Sequence, residues 1–348
     1  MRINEKKVKN VTFLTLNNEQ GMEVTLCTFG ASIYNLKVID RNHKMESIVL
    51  TPSYLEDFYK STGYYGKCIG RFSGRIDKGN CTIHHQKYEL EKNWNGVNAL
   101  HGGSDGIAFQ NFSYQIKDLE KETDIIFTYI EKEGDLPGDV SYCITYQIMK
   151  QSNEINLVFD ACTTKDTLVN LTNHVYFNLS GDIKRTILDQ ELQLFCDTYT
   201  KLNDDLITEA IEEVSPVMDF RKSHAIQDYI YDDGLQNHKA KGYDHCWMKS
   251  DEQKELIAVL YDDISKRKLS VSTSYPAIVC YAGCYPEKLL FQENQISIQP
   301  YHSICLECQF IPNGINMDKV DSAILKKGDR YLHNIRYKFE VNEVKQNE

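Results

Sequence analysis

Apolar and polar residues alternate with a period of two along most of the chain. Residues 141–149 and 153–160 show this clearly, because every second position in each is a large apolar residue. Successive side chains of a β-strand point to opposite faces, so the alternation is typical of antiparallel strands with one buried face. Residues 80–90 carry the same pattern and turn near residues 84–87, which predicts a hairpin.

Helical patterns are few and short. The clearest covers residues 53–58, where Ser53 and Glu56 have the spacing of a capping box. Parallel sheets need regular crossover helices, which this pattern does not provide. No repeat, low-complexity stretch or linker divides the sequence. We therefore predict an all-β fold, a large antiparallel β-sandwich formed by a single domain over residues 1–348.

Charge and hydropathy narrow the possible partners. Acidic residues outnumber basic ones by 50 to 39, for a net charge of −11, which argues against a nucleic-acid partner. No apolar run approaches the roughly 20 residues that cross a membrane. The charged first ten residues are followed by no apolar signal-peptide core. These features predict a cytoplasmic protein without a membrane partner.

The sequence has no motif for a metal or a nucleotide cofactor. Its eleven cysteines lack the spacing of a disulfide framework, and we interpret them as reduced thiols. Cys305 and Cys308 form a C-x-x-C pair, but a zinc site needs a second pair or two histidines at ligand spacing. Phosphate-loop, dinucleotide-binding and serine-hydrolase motifs are also missing. No cofactor is therefore expected.

Two segments carry residues suited to acid and base chemistry. In the first, a strand would place His174, Tyr176 and Asn178 on one face, where a solvent-facing strand would usually carry Lys, Glu or Thr. In the second, a strand would place Glu307 and Gln309 on one face among apolar neighbours. A glutamate in that position is either paired or acts as a base with a raised pKa.

Three more clusters are candidates, each with a structural alternative. Arg71 and Arg75 stand among residues able to turn tightly, where they could equally be solvated. His101 precedes two glycines, whose turn lets the backbone approach a ligand or simply caps the chain. Asp244 stands beside large aromatic residues and could accept hydrogen bonds from sugar hydroxyls or close a turn.

In this order and spacing, the segments resemble the aldose 1-epimerase (galactose mutarotase) family. The resemblance covers roughly residues 54–316. It rests on these motifs: Gly70-Arg71 through Arg75-Ile76, Leu100-His101-Gly102-Gly103, Pro137-Gly138, Asn173-His174-x-Tyr176-Phe177-Asn178-Leu179-x-Gly181, Tyr243-Asp244-His245 and Leu306-Glu307-x-Gln309-x-x-Pro312.

The resemblance implies a galactose mutarotase-like supersandwich that interconverts the α and β anomers of a free aldohexose, galactose or glucose, without cofactor or metal. It implies that Glu307 is the catalytic base and His174 the catalytic acid. It also implies the residues that hold the sugar, which are Arg75, His101, Tyr176 and Asp244. Opening a hemiacetal requires one group to take the C1 hydroxyl proton and another to protonate the ring oxygen, so both pKa values should lie near the working pH.

The sequence departs from the family pattern at three positions. Gly74 stands where the family usually has Asn, and Asn313 stands where it usually has Asp. Val279 aligns near the position of a family Gln that contacts sugar. These departures leave the preferred sugar open. The alternatives are an epimerase of a modified or phosphorylated aldose, a non-catalytic sugar-binding homologue, or a retaining glycosidase that uses Asp244 and Glu307. A monomer and a homodimer are both compatible with the sequence.

Overall fold

The protein is built almost entirely of antiparallel strands, as the alternation predicts. The computed structural model describes residues 1–251, 253–321 and 323–342. Within them the strands, in chain order, are β1 (Arg2–Val8), β2 (Val11–Asn17), β3 (Met22–Cys27), β4 (Ser32–Ile39), β5 (Met45–Ser47), β6 (Cys68–Ile69), β7 (Arg75–Ile76), β8 (Asn80–Ile83), β9 (Gln86–Glu89), β10 (Ala99–Leu100), β11 (Ser113–Asp118), β12 (Glu122–Glu131), β13 (Val140–Met149), β14 (Glu154–Thr163), β15 (Thr167–Leu168), β16 (Thr172–Asn173), β17 (Tyr176–Phe177), β18 (Glu191–Leu194), β19 (Cys196–Leu202), β20 (Thr208–Glu213), β21 (His224–Ala225), β22 (Asp244–Lys249), β23 (Leu256–Tyr261), β24 (Arg267–Thr273), β25 (Ala277–Tyr281), β26 (Leu290–Phe291), β27 (Ile296–Ser297), β28 (Ile304–Gln309), β29 (Ile324–Leu325) and β30 (Tyr331–Val341).

Helices are short and lie between strands. The α-helices are α1 (Leu55–Lys60), α2 (Gln227–Ile230) and α3 (Asp233–Asn237), and single 3₁₀ turns cover Asp77–Gly79, Ile107–Phe109 and Gly314–Asn316. The predicted capping box is wrong. Helix α1 begins after Tyr54 with no side-chain cap. The Ser53 hydroxyl instead donates to the carbonyl oxygen of Gln292 at 2.6 Å, because this segment is joined to a distant strand.

Three antiparallel sheets make up the sandwich. The first has the order β1-β2-β3-β4-β5, the second β11-β12-β13-β14-β30-β24-β23-β18-β21, and the third β17-β28-β25-β22-β19-β20. Several two-stranded ribbons connect them, including the predicted hairpin β8–β9 and the pair β7–β10. The all-β expectation is confirmed, and the antiparallel pairing explains the lack of crossover helices, because short turns can join antiparallel strands.

The hydrophobic core lies between these sheets. In β14 the alternating residues Ile155, Leu157 and Phe159 are fully buried, which matches the predicted inward face. The rings of Phe177 in β17 and Tyr337 in β30 lie 5.5 Å apart, so the six-stranded sheet packs on the nine-stranded one. One face of the six-stranded sheet is therefore used for packing and the other is left to form a cleft.

Strand β28 contributes polar side chains to that cleft. Leu306 and Cys308 belong to the core. Because neighbouring side chains of a strand alternate, Glu307 and Gln309 point to the opposite face. Glu307 pairs in register with Val279 of β25, which pairs in turn with Cys246 of β22. The strand thus places one acid at the centre of the floor of the cleft.

All eleven cysteines are free thiols, and most are buried. This fits their interpretation as small apolar residues of the core. Among the residues that the structure describes, no helix combines the length and the apolar character needed to span a bilayer.

Candidate active site

Six residues singled out in the sequence lie around one cleft on the open face of the six-stranded sheet. They come from separate parts of the chain: β7, the turn after β10, the segment around β17, the start of β22, and β28. The residues are Arg75, His101, His174, Tyr176, Asp244 and Glu307. The fold therefore brings together side chains up to 232 positions apart (75 to 307).

Glu307 is buried yet only partly engaged. Its exposure is 2%, and its Oε2 atom has no hydrogen-bond partner among the described residues. Burial raises the pKa of the carboxyl well above its usual range, the charge of Asp244 raises it further, and Arg75 lowers it. A carboxyl in this state holds its proton to a higher pH than an ordinary glutamate does, which marks it as a candidate for acid–base chemistry.

His174 lies beside that carboxyl. Its Nε2 atom is 3.5 Å from Oε1 of Glu307, and its Nδ1 atom is 3.5 Å from Sγ of Cys305. Burial lowers the pKa of His174 to about 4. The expectation of a pKa near the working pH therefore does not hold for His174 by itself, because burial disfavours the imidazolium.

The ring of His174 is held in place from both sides. Its backbone N–H donates to the carbonyl oxygen of Lys67 at 2.9 Å. The ring of Tyr176 lies 4.9 Å from it, and that of Tyr64 lies 6.0 Å from it in a stacked arrangement. The hydroxyl-bearing rings thus limit the imidazole to an orientation that faces Glu307.

His101 is fixed as a hydrogen-bond donor. Its Nδ1 atom accepts the backbone N–H of Gly74 at 3.1 Å, so in the neutral ring the proton lies on Nε2. Gly74 has a φ of 75°, and a Cβ atom there would lie 2.5 Å from Cβ of Pro312. Glycine is therefore required by this turn, which explains the departure from the family pattern.

Arg75 and Asp244 form the polar wall of the cleft. The Arg75 NH2 group lies 3.0 Å from Oδ2 of Asp244, and the Tyr285 hydroxyl donates to the same oxygen. The Trp94 ring lies 4.7 Å from the guanidinium carbon, in cation–π contact. The Arg75 Nε–H is buried and has no hydrogen-bond partner in the described part of the chain.

A metal ion would find an incomplete set of ligands here. His101, His174 and Glu307 each place one ligand atom within 4.8 Å of the others. However, Nδ1 of His101 already accepts an amide proton, and Nε2 then carries the ring proton. Since a metal needs a free lone pair on an imidazole nitrogen, two ligands remain, and the cluster fits a sugar hydroxyl better than a cation.

Two residues of the family motifs lie elsewhere. Asn178, predicted on the face of His174, donates instead to the carbonyl oxygens of Arg185 at 2.7 Å and His302 at 2.8 Å. The segment is not one strand, since β16 ends at Asn173 and β17 begins at Tyr176. Arg71 is buried and donates to Glu131 at 3.1 Å. Both hold loops together and do not line the cleft.

Sequence reasoning did not single out several residues that line the cleft. They include Tyr64, Trp94, Tyr285 and Glu287. Most lie in loops, where no periodicity predicts a side-chain direction. An aromatic residue near a motif is a weak signal, so only the tertiary structure could identify them.

Comparison with known proteins places the chain in a family. The family model described as aldose 1-epimerase matches residues 12–338. The galactose mutarotase of Homo sapiens is 31% identical over 328 residues, covering 92% of each chain. The aldose 1-epimerase of Escherichia coli (strain K12) is 28% identical over 338 residues, covering 94% of each.

The fold agrees with these relatives. The crystal structure of an aldose epimerase homologue from C. elegans superposes with a TM-score of 0.84 at 26% identity, covering 95% of this chain and 99% of that one. The family model likewise covers nearly the whole sequence. The chain therefore belongs to the aldose 1-epimerase family.

Proposed function

We propose that this protein is an aldose 1-epimerase that interconverts the α and β anomers of a free aldohexose, galactose or glucose. The observation that carries the proposal is the buried pair of Glu307 and His174, 3.5 Å apart. The pair faces a cleft whose polar groups suit a polyol. The printed names of relatives, galactose mutarotase and aldose 1-epimerase, support the same reaction.

Ring opening uses the pair as base and acid. The Glu307 carboxylate takes the proton of the C1 hydroxyl while His174 gives a proton to the ring oxygen, so the C1–O5 bond breaks and an aldehyde forms. Rotation about the C1–C2 bond presents the other face of the aldehyde. The ring oxygen then attacks C1, His174 recovers its proton, and Glu307 returns the other to the new C1 hydroxyl.

The two shifted pKa values suit this exchange. Burial raises the pKa of Glu307 and lowers that of His174 to about 4, so the empty pair keeps its proton on the carboxyl. Moving that single proton to His174 produces the acid and the base together. We therefore treat the pair as one titrating unit.

The cleft favours an uncharged substrate. Among the described residues that line it, Arg75 is the one lysine or arginine, and Asp244 is already paired with it at 3.0 Å. A sugar phosphate would bring a dianion beside Glu287, Asp244 and Glu307, and the one arginine that lines the cleft in the described part of the chain already neutralises Asp244. This argues against the phosphorylated-aldose alternative.

The remaining alternatives predict different behaviour. A retaining glycosidase would need Asp244 as a second catalytic carboxyl, whereas that carboxylate is engaged by Arg75 and Tyr285. A non-catalytic sugar-binding homologue would bind galactose without exchanging its anomers.

We also propose that the chain forms a single domain, since the cleft joins residues from β7 to β28. We further propose a cytoplasmic monomer or homodimer with reduced thiols.

Polarimetry of freshly dissolved α-D-galactose tests the proposal. We expect the wild-type protein to accelerate mutarotation in a weakly catalytic buffer. Glu307→Gln should reduce kcat by about 10²–10⁴-fold, the usual contribution of a general base. Glu213→Gln, at an exposed position in β20, is the matched control and should keep full activity.

Two results would overturn the proposal. The first is a wild-type rate equal to that of the buffer alone for both galactose and glucose. The second is full activity in Glu307→Gln. A panel that includes a hexose 6-phosphate and a chromogenic galactoside separates the phosphorylated-aldose and glycosidase alternatives.

A further inference from the structure

We propose that Gln309 is a substrate-binding residue whose side-chain amide holds a sugar hydroxyl on the floor of the cleft. This inference rests on the proposed function, since it concerns the same cleft. Gln309 lies two positions after Glu307 on the same face of β28. It lines the cleft together with Val279 and Pro312.

The side chain of Gln309 is buried and has no hydrogen-bond partner within residues 1–251, 253–321 and 323–342. Its exposure is 1%, and its Oε1 atom has no hydrogen-bond partner among the residues described. Within those described residues, neither the carbonyl oxygen nor the NH2 group of this amide bonds to a side chain or a backbone group. Buried polar groups are nearly always paired, so an unpaired amide requires an explanation.

The neighbours of Gln309 give it room and no competitor. Ala277 of β25 lies directly opposite in the ladder and contributes only a methyl group. Val279, the next residue on that face, has a side chain without a hydrogen-bond donor or acceptor. The amide is therefore directed to the cleft, where it offers two N–H donors and one carbonyl acceptor. A sugar hydroxyl both donates and accepts, so it matches this amide.

Gln190 shows how a structural glutamine differs. It is also fully buried, with 0% exposure. Its Nε2 atom donates to Oδ1 of Asn178 at 3.0 Å, and its Oε1 atom accepts the backbone N–H of Leu179 at 3.3 Å. Both ends of this amide hold the fold. Gln190 is therefore the matched control for Gln309.

The test replaces each glutamine by methionine, which has a similar shape and no amide. For Gln309→Met we expect KM for galactose to rise by about 5- to 150-fold, equivalent to the 1–3 kcal/mol of one buried hydrogen bond. We expect kcat within about threefold of wild type, because the acid–base pair is intact. The thermal midpoint should stay level or rise, since an unpaired buried amide is removed.

The control has the opposite profile. Gln190→Met should lower the thermal midpoint and leave KM unchanged, because it breaks two bonds within the fold. A Gln309→Met variant with unchanged KM overturns the inference, whatever its thermal midpoint.

Singly deoxygenated galactoses identify the hydroxyl. For wild type, removing the hydroxyl that Gln309 binds should weaken binding measured by calorimetry, and in Gln309→Met the same removal should have little further effect. Equal penalties in both proteins for every hydroxyl overturn the inference. Calorimetry also separates the two proposals: galactose binding that depends on Gln309 without mutarotation refutes only the catalytic function, and no sugar binding by wild type refutes both.

Discussion

Two glutamates in this protein are equally buried and have opposite surroundings. Glu46 in β5 and Glu307 in β28 are each 2% exposed. Lys44 and Lys184 each lie 2.5 Å from Oε1 of Glu46, and Arg267 lies 3.1 Å from its Oε2. Glu307 has His174 at 3.5 Å and an oxygen with no partner in the described residues.

The pKa values follow the partners and not the burial. Burial raises the pKa of Glu46, but hydrogen bonds from Lys184, Lys44 and Arg267 outweigh it and lower the pKa to about 2. For Glu307, burial and the charge of Asp244 raise the pKa, and Arg75 opposes them too weakly. A saturated buried carboxylate thus stabilises the fold, whereas an unsaturated one is available for chemistry.

The sharpest test of this difference is to neutralise each acid. Glu46→Gln should lower the free energy of unfolding by about 3–5 kcal/mol, because it leaves the buried Arg267 guanidinium without its counter-charge. Urea denaturation at neutral pH measures this loss. The folded fraction should keep wild-type kcat, since Glu46 lies outside the cleft.

Glu307→Gln supplies the contrast. It should reduce kcat as described and leave the free energy of unfolding at neutral pH no lower than that of wild type, because a carboxyl with a raised folded-state pKa destabilises the fold at any pH above its ordinary 4.5. Equal losses of stability in the two variants would contradict the distinction between saturated and unsaturated acids.

Acid should remove the stabilising contribution of Glu46. The folded-state pKa of Glu46 lies below the ordinary 4.5, so its stabilising contribution is present above pH 4.5 and is lost as the pH falls towards 2. Denaturation curves of wild type and Glu46→Gln should therefore converge over this range. Curves that stay parallel down to pH 2 would show that Glu46 is not held by its cations.

Activity should also depend on the carboxyl of Glu307. Because its pKa is raised by burial, this carboxyl keeps the single proton of the pair to a higher pH than an ordinary glutamate would. The reaction needs that proton, so we expect kcat/KM to fall about tenfold per pH unit on the alkaline side, where the pair loses it. Polarimetry across pH measures this limb, and an alkaline limb centred at or below the ordinary 4.5 would refute the raised pKa.

Asp244 is an intermediate case and gives the smallest effect. Its Oδ2 atom is bonded to Arg75 and Tyr285, while Oδ1 accepts no hydrogen bond within the residues described. Tyr285→Phe removes one bond to a carboxylate, so we expect KM to rise about fivefold, equivalent to about 1 kcal/mol, with kcat unchanged. Tyr231→Phe, at an exposed position, is the control. A Tyr285→Phe variant with wild-type KM would show that Asp244 is oriented without it.

Local patterns predicted the strands well and the loops poorly. The alternation in residues 141–149 and 153–160 corresponds to β13 and β14, because a sheet with one buried face leaves a period of two in the sequence. The capping box at Ser53 failed because spacing alone cannot show that this hydroxyl bonds to the Gln292 carbonyl. The break between β16 and β17 was missed for the same reason.

The sequence by itself determined the all-β class, the inward faces of β13, β14 and β28, and the identity of six side chains that line the cleft. These follow from side-chain period and from motifs that are local along the chain. Only the tertiary structure decided that Asn178 and Arg71 hold loops and that, within the described ranges, Glu307 lacks the cations of Glu46 and Gln309 has no hydrogen-bond partner. Hydrogen-bond saturation depends on residues far apart in sequence, so no local pattern records it.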